Sequence, residues 1–318
     1  MQMKAMILAA GSGTRLRPLT ALRPKPLFPV YSVPLLAITL NQLVAAGVSD
    51  IMVNSHHLSR QITDFLDGIA RPGLTISHSY EPELLGTGGA IKKVERFWED
   101  QPFVVVNGDI LHTVDLADAY RAHTANGSLA TLVLHDHPRF NQVEVDREGA
   151  IVGIRQKRVR ETTSGTGMLA FTGIHVISPG ILDAIPADRY ADIIDVYLDR
   201  AARGMDIRGH RATGHYWRDI GTPEDYHRLH RDIHENRCRP AGIVPGSPPA
   251  AGGSSIGAGS TLNGYVSMGK NVCIGSGCSI TDSIVWDDAS IADNLTLDHC
   301  ILGDGAHVTK SLHNEIVI

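Results

Sequence analysis

Cysteine is scarce: Cys238, Cys273, Cys278 and Cys300 are the only four in 318 residues, and no pair has C-x-x-C spacing. That excludes a zinc ribbon and a thioredoxin-type site. A chain this long buries enough surface to fold without a disulfide framework, so reduced thiols are expected. Long hydrophobic runs are missing as well. The first ten residues hold one lysine and a six-residue apolar run that ends at Gly11. This is too short for a signal-peptide core and far below the ~18 apolar residues of a membrane span, so a cytoplasmic protein is expected. Positive charge is not in excess, with 29 basic against 34 acidic residues and a net charge of -5. Such a balance makes nucleic acid and anionic membranes poor partners, and leaves room only for a local basic pocket that takes a phosphorylated small molecule. Aromatic residues are few, at 5%, but 43% hydrophobic and 20% charged residues describe a globular chain. Glycine is plentiful at 32 residues, above the average usage of about 7%, so tight turns are in demand.

Up to about residue 235, short apolar runs alternate with helical patterns. Ala5–Leu8, Ile51–Val53, Leu74–Ile76 and Phe103–Val106 read as strands. Helices are expected from Leu35 to Ala46, from an N-cap at Ser59 to Ile69, and around Ile91–Phe97. Continuous β-branched runs between helices indicate a mostly parallel sheet covered on both faces. Beyond Leu129 the pattern becomes more strand-rich, with a hairpin turning at Asp146–Gly149 and a polar loop from Arg158 to Gly167. Ser178-Pro179 and Thr222-Pro223-Glu224-Asp225 each carry an N-cap followed by Pro, and open helices. The fold class is therefore α/β, a Rossmann-like doubly wound mixed sheet over residues 1–236. His227, His230 and His234 fall near one face of the last helix, a docking or solvated face rather than a metal site.

Residues 237–253 form a linker crowded with Pro and Gly. After it, large apolar residues recur every six positions at Ile256, Leu262, Met268, Ile274, Ile280 and Trp286. The beat then slips by one to Ile291 and Leu297, and again to Leu302 and Val308. A six-residue period is neither helical nor that of one strand, and fits a coil whose inward residue recurs once per flat face. The tail, 254–318, resembles a hexapeptide-repeat left-handed β-helix of about three coils. Short repeat stacks need caps or partners, so a homo-oligomer is expected through this tail, with the chemistry partly surviving its removal.

The first strand runs into Leu8-Ala9-Ala10-Gly11-Ser12-Gly13-Thr14-Arg15-Leu16-Arg17-Pro18-Leu19-Thr20, then Pro24-Lys25-Pro26-Leu27. Two glycines let the backbone pass close to a ligand and point N–H groups at phosphate oxygens, and Arg15 and Lys25 add fixed positive charge. The dinucleotide fingerprint needs a third Gly where Leu16 stands, and an acidic residue near Val53-Asn54. No Gly-Lys-Ser/Thr follows, so a P-loop is excluded too.

The whole segment resembles the signature of the sugar-1-phosphate nucleotidylyltransferases. Leu85-Gly86-Thr87-Gly88-Gly89-Ala90, Val106-Asn107-Gly108-Asp109 and Trp217-Arg218-Asp219-Ile220-Gly221-Thr222-Pro223 resemble the same family, in the same order. The resemblance covers about residues 3–234. It implies transfer of a nucleoside monophosphate from an NTP to a sugar 1-phosphate, with release of pyrophosphate. It makes Asp109 and Asp219 ligands of Mg²⁺, and Arg15 and Lys25 the catalytic cations on the nucleotide phosphates. Leu8, Ala10, Gly11, Gly13, Thr14, Glu81, Gly86 and Thr87 correspond to nucleotide-binding positions. Asn107, Lys157, Thr172 and Gly173 correspond to the sugar-phosphate side, although Gln156 and Arg158 flank Lys157 where the family has Glu and Pro. GTP is favoured over UTP, because the tail and Leu-Gly-Thr-Gly-Gly resemble mannose-1-phosphate guanylyltransferases. Val-Asn-Gly-Asp and Phe-Thr-Gly-Ile also resemble uridylyltransferases acting on N-acetylmuramate 1-phosphate. A non-catalytic regulatory subunit of the same fold would have no reason to retain Arg15, Lys25, Asp109 and Asp219 together.

Overall fold

The structure is a computed structural model that describes residues 3–161, 165–240, 243 and 253–318. Residues 162–164 of the expected polar loop, and 241–242 and 244–252 of the expected linker, lie outside the described residues. By its contacts the chain divides into two units, each built from several segments. One comprises Met1–Gly11, Gln42–Gly108 and Val114–Trp217, the other Ser12–Asn41, Asp109–Thr113 and Arg218–Ile318.

The first unit is organised on a mixed sheet. Met3–Leu8 pairs in parallel with Val48–Ser55 on one side and Phe103–Asn107 on the other, and Val48–Ser55 pairs in parallel with Thr75–Tyr80. Beyond Phe103–Asn107 the long strand Gly167–Ile177 runs antiparallel, followed by Ala130–His135 and then Ile207–Arg211. Buried residues such as Met6, Phe103, Val105 and Leu132 form the core beneath the helices, and Trp98 stacks on Phe103 at 3.9 Å. The four parallel strands end together at Leu8, Ser55, Tyr80 and Asn107. Ligands of open α/β sheets bind at such carboxyl ends.

Some helix boundaries differ from the sequence reading. The helix expected around Ile91 begins at Gly86, where the positive φ of 69° is free to a glycine. Ser59 is the first helical residue rather than the cap, and its hydroxyl accepts from Ser55 Oγ. Ser178-Pro179 opens only a 3₁₀ turn, Pro179–Ala184. Thr222 caps the helix Pro223–His234, accepting from Asp225 N–H at 3.1 Å.

In the second unit the tail folds as three parallel sheets of four strands each, a β-helix with one rung more than the three coils expected. The fourth rung starts at His307–Val308 and is completed by Leu312–His313 and Ile316–Val317. Ile256, Ile274, Ile291 and Val308 stack in one ladder, and Leu262, Ile280, Leu297 and Leu312 in the next. The third ladder corrects the sequence beat. Met268 pairs with Val285 and Val285 with Leu302, so the slip falls between Ile280 and Val285. Trp286 leaves the interior column and packs edge-on against Phe28 at 4.8 Å. The final helix docks its histidines within this unit. His227 stacks on His299 at 4.0 Å, and His230 stacks on Tyr31 at 5.1 Å. Burial pushes His227 down to about 4 and His230 to about 3, so both are neutral at pH 7. Among the described residues, no helix is long and apolar enough to cross a membrane.

Candidate active site

The second unit gathers the charged residues singled out by sequence. Pro24 and Pro26 flank Lys25, which opens a short 3₁₀ turn and is buried, with its Nζ 2.7 Å from Asp109 Oδ2. Ile220 N–H donates to Asp109 O at 3.0 Å, which joins the two acid-bearing segments. Gly221 reports what lies between them. A Cβ there would stand 2.8 Å from Asp219 Oδ2 and 3.1 Å from Arg15 Nη1, so the carboxylate and the guanidinium converge on one point. Arg218 Nε and Nη2 donate to Asp232 at 3.0 and 2.6 Å. Burial raises Asp219 to about 6, and the charge of Asp109 adds to the rise, while Lys25 and Arg15 oppose it.

Two carboxylates beside each other, one held in part by a lysine, suit a hard divalent cation. Mg²⁺ takes few protein carboxylates and completes its shell with water and phosphate oxygens. Among the described residues, no group of three or more His, Cys, Asp or Glu is arranged to hold a metal, so phosphate and water would supply the remaining ligands.

Gly13 has φ +59°, and a Cβ on it would meet Thr20 Cγ2 at 2.8 Å, so the turn into Thr14–Leu16 requires glycine. Gly11 is not under such pressure, since a Cβ there would meet nothing within 4 Å. In the first unit, Leu8 O accepts from Gly108 N–H at 2.8 Å, and a Cβ on Gly108 would strike that oxygen. Ala10 is buried. A relay that sequence reading missed ties together the two loops expected to bind nucleotide. Ala9 N–H donates to Asn54 Oδ1 at 2.7 Å, and Asn54 Nδ2 donates to Glu81 Oε1 at 2.7 Å. Leu85 N–H donates to Glu81 Oε2 at 3.0 Å. Glu81 is 1% exposed with both carboxylate oxygens engaged, so it holds the Leu85-Gly86 loop from inside. Thr87 Oγ1 accepts from Ile193 N–H at 3.0 Å, and Gly88 N–H donates to Ala191 O at 2.8 Å.

The residues expected on the sugar-phosphate side are brought together only in part. Leu8 pairs with Asn107, whose amide lies against Gly173: a Cβ there, at φ +79°, would come 2.6 Å from Asn107 Nδ2. The buried hydroxyl of Thr172 donates to Val133 O at 2.8 Å, while Thr172 O accepts from Trp217 Nε1 at 2.8 Å. Lys157 stands elsewhere. It follows the turn at Arg155 and Gln156, both with positive φ, and pairs with Asp195 at 3.1 Å. It lines a cavity of about 750 Å³ with Arg155, Arg158 and Met168, and none of Asn107, Thr172 and Gly173 lines it.

A family model described as nucleotidyl transferase matches residues 4–236. The chain is 29% identical to a UTP–glucose-1-phosphate uridylyltransferase from Synechocystis sp., over 98% of this chain and 87% of that protein. It is 31% identical to a mannose-1-phosphate guanylyltransferase from Mycobacterium tuberculosis, over 91% and 81%. It is 36% identical to an N-acetylmuramate alpha-1-phosphate uridylyltransferase from Neisseria meningitidis, over 69% and 94%. The crystal structure of HddC from Yersinia pseudotuberculosis superposes with a TM-score of 0.57 at 26% identity, covering 72% of this chain and 98% of that one.

The relay makes a specific demand on Glu81. Glu81→Gln keeps the shape but turns an NH₂ toward either Asn54 Nδ2 or Leu85 N–H, leaving two donors face to face. Chemical denaturation should show a loss of about 1–3 kcal/mol, the cost of a buried polar group left unpaired. Unchanged stability would mean that the relay does not hold the loops.

Proposed function

This chain belongs to the nucleotidyl transferase family, and from that premise we propose that it transfers a nucleoside monophosphate from an NTP to a sugar 1-phosphate. The products are an NDP-sugar and pyrophosphate. The observation that carries this reading is the convergence of Arg15, Lys25, Asp109 and Asp219 within one unit. A phosphate oxygen of the sugar 1-phosphate attacks the α-phosphorus in line while the bond to pyrophosphate breaks. Both reactants are polyanions, so positioning and positive charge matter more than proton transfer. Lys25 neutralises the nucleotide phosphates, and Arg15 meets the charge that grows on the departing pyrophosphate. Asp109 and Asp219 would hold Mg²⁺, which when bound neutralises charge between the two substrates. Leu8, Ala10, Gly11, Gly13, Thr14, Gly86 and Thr87 are assigned to the nucleotide side, and Glu81 supports it through Leu85. Asn107, Thr172 and Gly173 shape the sugar side, and Lys157 enters on its resemblance alone.

GTP and mannose 1-phosphate are the preferred pair, supported by the guanylyltransferase relative that spans both the catalytic segment and the tail. A second reading takes UTP, favoured by the Synechocystis uridylyltransferase, which spans 98% of this chain. Pyrophosphate release across four NTPs and a panel of sugar phosphates decides between them. A protein inert with every pair would be a regulatory subunit. In the active pair, Arg15→Ala should lower kcat more than it raises KM for NTP, because the guanidinium acts mainly in the transition state. Asp109→Ala and Asp219→Ala should remove most turnover with the fold intact. Near wild-type kcat in any of these variants would remove that residue from the site.

The raised Asp219 gives the metal a pH signature. Below about 6 the carboxyl holds its proton, and above it the buried carboxylate is ionised. Folding therefore loses stability from this group as pH rises toward 6, and cation binding restores it above that point. Mg²⁺ should raise Tm at about pH 8 and do so much less at about pH 5. An equal shift at both would exclude Asp219 as a ligand.

The same reading makes the protein a homo-oligomer through its tail. Ile256 on the first rung and Ile318 at the end are 45% and 52% exposed, apolar ends of the kind that repeat stacks cover with a cap or a partner. Light scattering should give more than one chain per particle, and a monomer across micromolar concentrations would refute the assignment.

A further inference from the structure

Between Arg15 and Lys25 the chain meets the β-helix, and the contacts there are ionic and geometrically specific. Arg23 Nε donates to Asp304 Oδ2 at 2.6 Å, and its Nη2 bonds both Asp304 Oδ1 and Asp287 Oδ2, the latter at 2.7 Å. The two aspartates sit one coil apart, following Val285 and Leu302 of one ladder. The guanidinium lies over the Trp286 ring at 5.3 Å and is 18% exposed. A bidentate, largely buried pair of this kind is stronger than an exposed surface bridge.

Only Pro24 separates this anchor from Lys25. Its ring fixes φ, which removes one of the backbone torsions between the two side chains, and its backbone is extended at φ −67°, ψ 144°. The far side of the lysine is held as well. Phe28 packs on Trp286, Pro29 O accepts from the Tyr226 hydroxyl, and Ser32 Oγ donates to Met268 O.

We propose that the β-helix is a positioning device for the catalytic loop, and that Arg23, gripped by Asp287 and Asp304, fixes the placement of Lys25. Arg23 touches no reacting group in this account; it acts through its neighbour. The inference rests on the role proposed above for Lys25. It also revises the expectation of a separable tail, since removal of the tail would release the loop that carries the lysine.

The test compares wild type, Arg23→Gln, Arg23→Lys, the double variant Asp287→Asn/Asp304→Asn, and Lys25→Ala in the full-length protein. Arg23→Gln should lower kcat by about 10- to 100-fold, as small misplacements of a catalytic group do. KM for NTP should move by less than about threefold, because the lost placement matters most in the transition state. Arg23→Lys should recover part of kcat, since an ammonium can satisfy one carboxylate but not the fork. The double aspartate variant should match Arg23→Gln, and combining the two should add little further loss. Amide exchange supplies a readout free of substrate. The peptide spanning Leu19–Tyr31 should exchange faster in Arg23→Gln, with the strands Met3–Leu8 and Val48–Ser55 unchanged. If Arg23→Gln does not fold, Arg23→Lys and the aspartate variants carry the same comparison. Wild-type kcat and wild-type exchange in the Arg23 variants would overturn the proposal while Lys25→Ala is inactive. Should Lys25→Ala retain turnover, the catalytic reading of Lys25 fails instead, and the exchange rates alone then decide whether the β-helix holds the loop.

Discussion

Charges of both signs must share one small volume: Asp109 and Asp219 against Arg15 and Lys25, all within the second unit. Near a protein surface, unit charges at 4 Å interact by about 4 kcal/mol at an effective dielectric near 20. The outcome is visible at Asp219, where burial and Asp109 outweigh both cations and raise the carboxyl. A cation bound here would favour the ionised form of Asp219 over the protonated one. The surrounding backbone is fitted to this crowding. Gly221 is bare because a Cβ would occupy the meeting point of Asp219 and Arg15, and Gly108 is bare so that the segment before Asp109 can lie on Leu8 O.

The first unit solves a different problem, which is to hold two loops of polar backbone near a sheet edge without charge pairs. Asn54 does this with one side chain that accepts from Ala9 and donates to Glu81, and Glu81 passes the constraint on to Leu85. A buried network of this kind is favourable only when every member is satisfied. Here each amide and carboxylate atom of the relay has a partner at 2.7–3.0 Å.

Much of this was legible in the sequence, and the reason lies in what sequence periodicity encodes. Continuous apolar runs such as Phe103–Val106 and the six-residue beat of the tail report burial directly, so the sheet and the β-helix could both be anticipated. The four charged site residues lie in motifs long enough to be distinctive. What stayed hidden were contacts between distant segments. Asn54 looked only like a residue that failed the dinucleotide fingerprint, and nothing in the sequence marked Arg23. Glu81 corresponds to a nucleotide-binding position, and nothing in its neighbourhood shows that Asn54 will face it. Composition also suggested a single cut at the Pro/Gly stretch, whereas contacts group the tail with Ser12–Asn41. A linker leaves a signature in sequence, and a docking surface between remote segments does not.

The slip between Ile280 and Val285 bears on how this tail can change over time. Ile256 pairs with Ile274 across 18 positions, and Ile274 with Ile291 across 17. That one omitted residue rotates Trp286 out of the interior column and onto Phe28. Duplicating or trading whole regular coils would preserve the interior and keep the tail well packed. It would also turn the indole back inward and leave Phe28 without its cover. Repeat proteins usually tolerate such exchanges, because each coil contacts only its neighbours. In this chain the coil that carries Trp286 is the one that cannot be exchanged, and lineages that replaced it would have to find another way to cover the loop beside the lysine.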